Sequence, residues 1–210
     1  MLKKFKAIAA TALLAMSFSS FSAEFNAGEE YLVIHTGKPT TTNSVVEYFS
    51  IYCPHCYSFE KQVIPDYLEM LPDEIELSRS PVTFLGFIDQ ASQVQMAKAY
   101  WVAENSGKGD EFLHAAFERI HLDKKKYAVP ILAKVLGKTE NEVKGLIDAD
   151  VVDDKLTEEV GTHFKMLDAG MKGVPSFVVN GKYLIQAAEL DRANFTKSLA
   201  DITTHLNSLD

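Results

Sequence analysis

The feature that most constrains the fold is a buried strand that runs directly into a Cys-Pro-His-Cys motif at 53–56 and then into a helix. The run 45–49 is continuously apolar apart from Glu47, which is typical of a strand buried on both faces. Between 59 and 71 apolar residues recur at every fourth position, which predicts a helix. Pro65 predicts a kink in this helix near residue 64.

The next part of the chain predicts one more strand and then only helices. In 75–82 apolar residues alternate with polar ones, so the first part of the chain forms a strand–helix–strand unit. Strand signals disappear over 86–162, where four or five amphipathic helical patterns follow one another. Asp110 and Asp150 are the predicted N-caps of two of these helices. We therefore interpret this block as an all-helical insertion.

Strand signals return near the end of the chain. The run 176–179 is followed by Asn180-Gly181, and this pair predicts a hairpin because both residues tolerate positive φ. The return strand at 182–185 precedes a last amphipathic helix at 195–206. This order predicts an α/β chain with a thioredoxin-like fold interrupted by an all-helical insertion domain. The predicted limits are 24–85 and 163–210 for the two parts of the thioredoxin-like domain and 86–162 for the insertion.

The first 23 residues are typical of a secretory signal peptide. Lys3, Lys4 and Lys6 precede an apolar run of about a dozen residues and then a stretch of small residues. A membrane-spanning helix needs about 20 apolar residues, so we expect cleavage near residue 23 or 24 and export of the mature chain.

Removing the three lysines of the leader takes the formal net charge from −8 to −11. A chain this acidic is a poor partner for nucleic acids.

The sequence contains two cysteines, Cys53 and Cys56, and an exported protein tends to pair them. A purely structural bridge is disfavoured because closing so short a loop stabilises by about 1.9 kcal/mol, against about 3 kcal/mol for fifteen residues. Zinc needs three or four ligands, and His55 would have to chelate from within the same turn. No metal is therefore expected, although a metal carrier remains an alternative to a redox-active pair.

A helix that begins at the motif explains each of its positions. The Cys53 sulfur then lies over the first turn, where unpaired N–H groups and the helix dipole favour a thiolate. Pro54 suits a first helical position, which has no use for an N–H, and a protonated His55 adds a positive charge beside the sulfur. Cys56 lies one turn further on and is less accessible, which suits a resolving thiol. Because a stabilised thiolate favours the reduced pair, the disulfide becomes a stronger oxidant.

Three segments carry a resemblance to a known family, namely 47–60 with its Cys-Pro-His-Cys motif, Gly173-Val174-Pro175, and 180–183. Together with the helical block between them, they resemble the DsbA family of thiol:disulfide oxidoreductases over essentially the whole mature chain. The resemblance implies a periplasmic dithiol oxidase that gives its disulfide to reduced, newly exported proteins. It also implies reoxidation by a DsbB-like membrane quinone reductase, and no cofactor other than the disulfide itself.

The resemblance also implies roles for residues outside the motif. Pro175 would be a cis proline facing the cysteine pair, and Val174 would offer its backbone groups to an extended substrate. Glu47 and Glu60 correspond to acidic residues beneath the active site, where we expect them to tune the pKa values of the cysteines. Independently of the resemblance, Glu60 shares one helix face with both cysteines, at positions i, i+3 and i+7.

Two residues depart from the family pattern. Arg79 stands where the family has a lysine, and it can pair with a carboxylate but cannot readily release a proton, so no proton relay is expected there. Pro81 stands where a histidine is usual.

A disulfide isomerase or reductase is the nearest alternative to an oxidase. Isomerases usually carry an N-terminal dimerisation domain, whereas about thirty mature residues precede Cys53, so we expect a monomer.

Overall fold

The computed structural model describes residues 25–34, 42–124 and 127–209, and the predicted signal peptide lies outside these residues. In chain order the helices and strands are β1 (Tyr31–Val33), β2 (Ser44–Phe49), α1 (Pro54–Gln62), α2 (Ile64–Met70), β3 (Glu76–Pro81), α3 (Gln90–Asn105), α4 (Gly109–His121), α5 (Ala128–Leu136), α6 (Glu140–Ile147), α7 (Asp150–Asp168), β4 (Ser176–Val179), β5 (Tyr183–Ile185) and α8 (Phe195–Asn207). Within the described ranges, no helix combines the length and the apolar composition needed to cross a membrane.

The strands of the described residues form one mixed sheet in the order β1-β5-β4-β2-β3. Strand β2 pairs in parallel with β3 and antiparallel with β4, so it lies inside the sheet and leads from there into the motif. Strands β4 and β5 form the predicted hairpin, with φ angles of 51° at Asn180 and 66° at Gly181. The sequence analysis missed β1, which pairs with β5 at one edge.

Helices cover both faces of β2, which confirms the prediction of a strand buried on both sides. Val45 packs in a core with Tyr67 of α2 and Leu199 of α8 on one face. Tyr48 points to the other face, because successive side chains of a strand alternate, and it packs with Met166 of α7. The chain also breaks at Val63, between α1 and α2, where the proline at the start of α2 predicted a kink.

The elements of the described chain between α3 and α7 are all helical, as predicted. Their core contains Phe112 of α4, Leu132 of α5 and Val143 of α6, and it also takes in both cysteines. The motif therefore lies where the helical insertion meets the sheet. Helix α7 continues through the predicted boundary at residues 162 and 163, and the limits of the insertion stay a prediction.

The two predicted N-caps are wrong. The N-cap of α4 is Lys108 and that of α7 is Ala149, so Asp110 and Asp150 lie in the first turns instead. The carboxylate of Asp110 is engaged by Arg79 at 2.7 Å and not by the end of its own helix. Carboxylates in a first turn still interact favourably with the helix dipole.

Candidate redox-active site

The motif lies at the start of α1, as the sequence predicted. A turn after β2, closed by a hydrogen bond of 3.0 Å from the Cys53 N–H to the Ser50 carbonyl, places Cys53 at the N-cap of α1. Its sulfur accepts a hydrogen bond of 3.4 Å from the backbone N–H of Cys56. Pro54 occupies the first helical position and His55 is exposed beside it. The sulfur thus replaces the side-chain oxygen that usually caps a helix.

The two cysteine sulfurs have opposite acidities. A hydrogen bond from the Cys56 thiol, together with the N–H groups of Cys56 and His55 and the charge of the His55 imidazole, lowers the pKa of Cys53 from 9.0 to about 6, although burial opposes the shift. Burial is the main cause that raises the pKa of Cys56 far above its usual value, and the charges of Cys53 and Glu47 add to it. The geometry therefore favours a thiolate at Cys53 and a thiol at Cys56.

A loop that precedes β4 lies against the cysteine pair. The Val174–Pro175 peptide bond is cis, as the resemblance implied. The carbonyl oxygen of Val174 lies 3.6 Å from the Cys53 sulfur. Beside this loop is a cleft of about 280 Å³, lined by residues 170–176 and 184–188. A chain that reaches the sulfur of Cys53 can therefore pass over the backbone of Val174.

A charged cluster, here called the Arg79 cluster, consists of Arg79, Glu47, Glu60, Asp110 and His114. The guanidinium contacts Glu47 at 3.2 Å, Glu60 at 3.3 Å and Asp110 at 2.7 Å. Glu60 also hydrogen-bonds to the Nε2 atom of His114 at 2.9 Å. Glu47 and Glu60 are buried, whereas Asp110 reaches the guanidinium from the exposed side of α4. The cluster therefore joins the sheet and α1 to the helical insertion.

Burial and the charge of the ion-pair partner have opposite effects on the pKa values of Glu47 and Arg79. Burial raises the pKa of Glu47 from 4.5 to about 7, although Arg79 lowers it; the charge of Glu60 adds to the increase. Burial lowers the pKa of Arg79, but the charges of Glu60, Glu47 and Asp110 outweigh it and raise the pKa above its usual value. Arg79 therefore stays charged, while Glu47 changes its ionisation near neutral pH.

A second buried polar group, here called the Ser80 cluster, lies on the other face of the sheet and consists of Ser80, Glu159, His163 and Lys155. The Ser80 hydroxyl donates to Glu159 at 2.6 Å, and its oxygen lies 2.8 Å from the Nε2 atom of His163. Lys155 pairs with Glu159 at 2.8 Å. This cluster is not predictable from the sequence, because its members lie on β3 and α7 and belong to no known motif.

The structure brings the predicted site residues together around the motif: Cys53, Pro54, His55 and Cys56 at the start of α1, Val174 and Pro175 opposite the sulfur, and Glu47 and Glu60 on Arg79. The sequence analysis missed three contacts from α4, made by Asp110, His114 and His121. In the described part of the chain, no group of three or more histidine, cysteine or acidic side chains is arranged to hold a metal ion.

Comparisons with known proteins agree with this geometry. A family model described as Thioredoxin matches residues 33–197. The chain is 30% identical to the thiol:disulfide interchange protein DsbA of Pectobacterium carotovorum subsp. carotovorum over 201 residues, which cover 91% of this chain and 92% of the relative. It is 29% identical to the DsbA of Yersinia pestis over 204 residues, or 92% and 93% of the two chains.

Solved structures give the same result. The crystal structure of the DsbA disulfide interchange protein from Klebsiella pneumoniae superposes with a TM-score of 0.73 at 25% identity, covering 88% of this chain and 98% of that one. A Proteus mirabilis DsbA variant in complex with a non-covalently bound peptide superposes with a TM-score of 0.72 at 24% identity, covering 89% and 100%. The second likeness shows the fold alone.

Proposed function

This chain belongs to the DsbA family of thioredoxin-like thiol:disulfide oxidoreductases, and we propose that it is a dithiol oxidase that gives its Cys53–Cys56 disulfide to newly exported proteins. The observation that carries the proposal is the position of the Cys53 sulfur at the N-cap of α1, where it accepts the N–H of Cys56 and its pKa is lowered, while Cys56 is buried and its pKa is raised. The redox-active group is the cysteine pair itself, as in the rest of the family, so the reaction needs no cofactor.

The reaction is two successive exchanges between sulfurs. A client thiolate attacks the Cys53 sulfur of the disulfide; a mixed disulfide forms, and Cys56 leaves and takes up a proton, as its raised pKa favours. A second client thiolate then attacks the client sulfur of the mixed disulfide. Cys53 leaves as a thiolate, which its lowered pKa makes easy. The client gains one disulfide, and the cysteine pair gains two electrons.

The acidity of Cys53 also sets the direction of electron flow. A thiolate that is stable at neutral pH stabilises the reduced protein, and each unit of pKa below 7 favours reduction by about 1.4 kcal/mol, or about 30 mV. Pro54 and His55 act on this sulfur, because one starts the helix at the motif and the other brings a nearby charge. Both residues therefore belong to the tuning machinery of the proposed oxidase.

Glu47 and Glu60 are proposed to tune the buried sulfur. The charge of Glu47 raises the pKa of Cys56, so an ionised Glu47 disfavours an anion there and keeps the resolving thiol protonated. Glu60 acts one step further away, since its charge raises the pKa of Glu47. Arg79 holds both carboxylates and does not itself release a proton.

Clients are proposed to bind in the cleft beside Pro175. The cleft lies next to Val174, whose carbonyl oxygen faces the attacked sulfur, so an extended client segment can lie against this backbone. A Proteus mirabilis DsbA variant with the same fold is known in complex with a non-covalently bound peptide. The proposed clients are reduced or unfolded exported proteins.

The proposed setting is the periplasm. The leader at 1–23 supports export, and the acidic composition of the mature chain is unsuited to nucleic acid. A DsbB-like membrane quinone reductase is the proposed electron acceptor, which returns the reduced pair to the disulfide. The mature protein is proposed to act as a monomer.

A redox titration against glutathione tests the proposal. The Cys53–Cys56 pair should be more oxidising than thioredoxin, and the ultraviolet absorbance of the thiolate should titrate near pH 6. The matched variant His55→Leu removes a charge that stabilises the thiolate, so its Cys53 pKa should be higher. A potential close to that of thioredoxin, with an ordinary thiol at Cys53, would identify a reductant.

Trapping the mixed disulfide tests which sulfur is attacked. A Cys56→Ser variant mixed with clients that already hold a disulfide should accumulate adducts through Cys53: the Cys53 thiolate attacks the client disulfide, one client sulfur leaves as a thiolate, and the variant lacks the buried thiol that would release the client. The reciprocal Cys53→Ser variant is the control and should trap few clients, since Cys56 is only 1% exposed. Adducts that form mainly through Cys56 would reverse the assignment.

A further inference from the structure

One histidine of the helical insertion touches the chain on both sides of the motif. His121 is the last residue of α4, and its Nε2 atom lies 2.8 Å from the carbonyl oxygen of Ile51. Its ring also stacks on that of Tyr57, with centroids 4.9 Å apart and planes 6° from parallel. Ile51 lies two residues before Cys53, and Tyr57 directly follows Cys56. The imidazole therefore spans the motif from a helix that is distant in sequence.

The hydrogen bond holds a part of the backbone that controls the attacked sulfur. Ile51 is 2% exposed and lies inside the turn that the Cys53 N–H closes on Ser50. A buried carbonyl that loses its donor is destabilised, so the turn would shift in search of another partner. A shift of this turn changes how the Cys53 sulfur is aligned with the N–H of Cys56, and hydrogen bonds weaken steeply when their alignment is lost.

The contact is possible with either protonation state of the imidazole. A carbonyl oxygen can only accept, so Nε2 must carry a hydrogen, and it does so both in the imidazolium and in one neutral tautomer. Burial is the main cause that lowers the pKa of His121, and the charge of Lys124 adds to it, although the hydrogen bond to Ile51 opposes the shift. Lys124 itself donates a hydrogen bond of 2.7 Å to the His121 carbonyl and thereby fixes the end of α4.

We propose that His121 is a positioning residue for disulfide exchange: its hydrogen bond to Ile51 holds the turn that presents the Cys53 sulfur to the start of α1. This inference rests on the proposed function of the cysteine pair and adds a role for the helical insertion in it. The insertion would then do more than cover the site, because it would fix the geometry on which the oxidising power depends.

Three substitutions at position 121 separate the hydrogen bond from the stacking. His121→Gln keeps a donor near Nε2 without the ring, His121→Phe keeps the ring without a donor, and His121→Leu keeps neither. The readouts are the Cys53 thiolate titration and the equilibrium constant with glutathione. We expect the Phe and Leu variants to raise the Cys53 pKa by roughly half a unit and to make the pair roughly two- to threefold less oxidising, while the Gln variant stays close to the unmodified protein.

The control variant is His205→Gln on α8, a helix whose buried face packs in the other core; the His205 ring contacts Phe25, so both readouts should stay unchanged. The inference is overturned if the Phe variant keeps the equilibrium constant of the unmodified protein, or if all three variants only lower the thermal stability. Failure of the proposed function would look different, because the unmodified protein would itself show an ordinary Cys53 thiol and a reducing potential.

Discussion

Two consecutive residues of β3, Arg79 and Ser80, each join a buried polar cluster, and the two clusters lie on opposite faces of the sheet. Arg79 faces α1 and collects three carboxylates around one guanidinium. Ser80 faces α7, where its hydroxyl stands between a carboxylate and an imidazole. The alternation of side chains along a strand creates this division.

The clusters differ in how their charges balance. In the Ser80 cluster the single carboxylate, that of Glu159, is paired with Lys155 at 2.8 Å and lies 3.9 Å from the imidazole of His163. In the Arg79 cluster the acids outnumber the guanidinium, and the pKa of Glu47 is raised to about 7, mainly by burial and further by the charge of Glu60. Glu47 is also a cause of the raised pKa of Cys56. We therefore expect the Arg79 cluster to affect both stability and redox behaviour and the Ser80 cluster to affect stability alone.

The largest effect is expected from Arg79→Met, which leaves Glu47 and Glu60 buried without their cation. Breaking a buried ion pair from one side costs about 3–5 kcal/mol, so urea unfolding at neutral pH should show a loss of this size. The loss should shrink in acid as the carboxyls are protonated. A loss below about 1 kcal/mol would mean that the cluster is solvated and not buried as the structure has it.

Glu47→Gln should make the protein more stable at neutral pH. The folded state raises the pKa of Glu47 from 4.5 to about 7, so the protonated carboxyl favours folding below pH 4.5, and this contribution is lost as the pH rises to 7. Glutamine cannot ionise, so the variant does not lose this contribution. The difference in free energy of unfolding, in favour of the variant, should therefore grow between pH 4.5 and pH 7 to about 3 kcal/mol. Urea unfolding as a function of pH measures it; a gap that does not change with pH would contradict the raised pKa.

Ser80→Ala should cost about 1–3 kcal/mol, because the buried Glu159 loses a donor, and it should leave the glutathione equilibrium constant unchanged. Ser78→Ala, on the same strand and exposed, is the matched control and should change stability by less than about 0.5 kcal/mol. If the redox equilibrium moved in Ser80→Ala but not in the control, the two clusters would not be separate in function.

The smallest effect is expected from Asp110→Asn. Its side chain is 76% exposed, so its pair with Arg79 should be worth less than about 1 kcal/mol and should weaken further in high salt. Glu111→Gln, in the same first turn of α4, is the control for the helix dipole together with one exposed ion pair, because Glu111 pairs with Lys108. The difference between the two variants reports how far the Arg79 contact exceeds an ordinary surface pair, and a difference of several kcal/mol would show that Asp110 is part of the buried network.

Local features of the sequence were predictable, and long-range ones were not. The break near residue 64, the Asn180-Gly181 turn and the position of the motif at the start of α1 depend on neighbours in sequence. Glu47 was also recognisable, because an acid within an apolar strand needs a partner, and Arg79 could be named as a residue able to pair with a carboxylate. With Glu60, three of the five members of the Arg79 cluster were therefore indicated by the sequence.

The other two members, Asp110 and His114, come from α4, as does His121 beside the motif. His114 and His121 lie on an amphipathic helix more than fifty residues after the motif, and a polar residue on such a helix has the same local pattern whether it faces solvent or a neighbouring domain. Strand β1 was missed for a different reason, since three residues are too few for an alternating pattern. Tertiary packing, and not local preference, determines both the contacts of the α4 histidines and the pairing of β1.

Helix α7 is 19 residues long, or about 28 Å, and it belongs to two cores. Val152 near its beginning packs among the helices of the insertion, and Met166 near its end packs against the sheet. A rigid rod anchored at both ends couples the melting of the two halves, because neither can open without losing part of the same helix. The molecule should therefore unfold as one cooperative unit in calorimetry, with a single heat-absorption peak, even though it contains a thioredoxin-like part and a helical insertion.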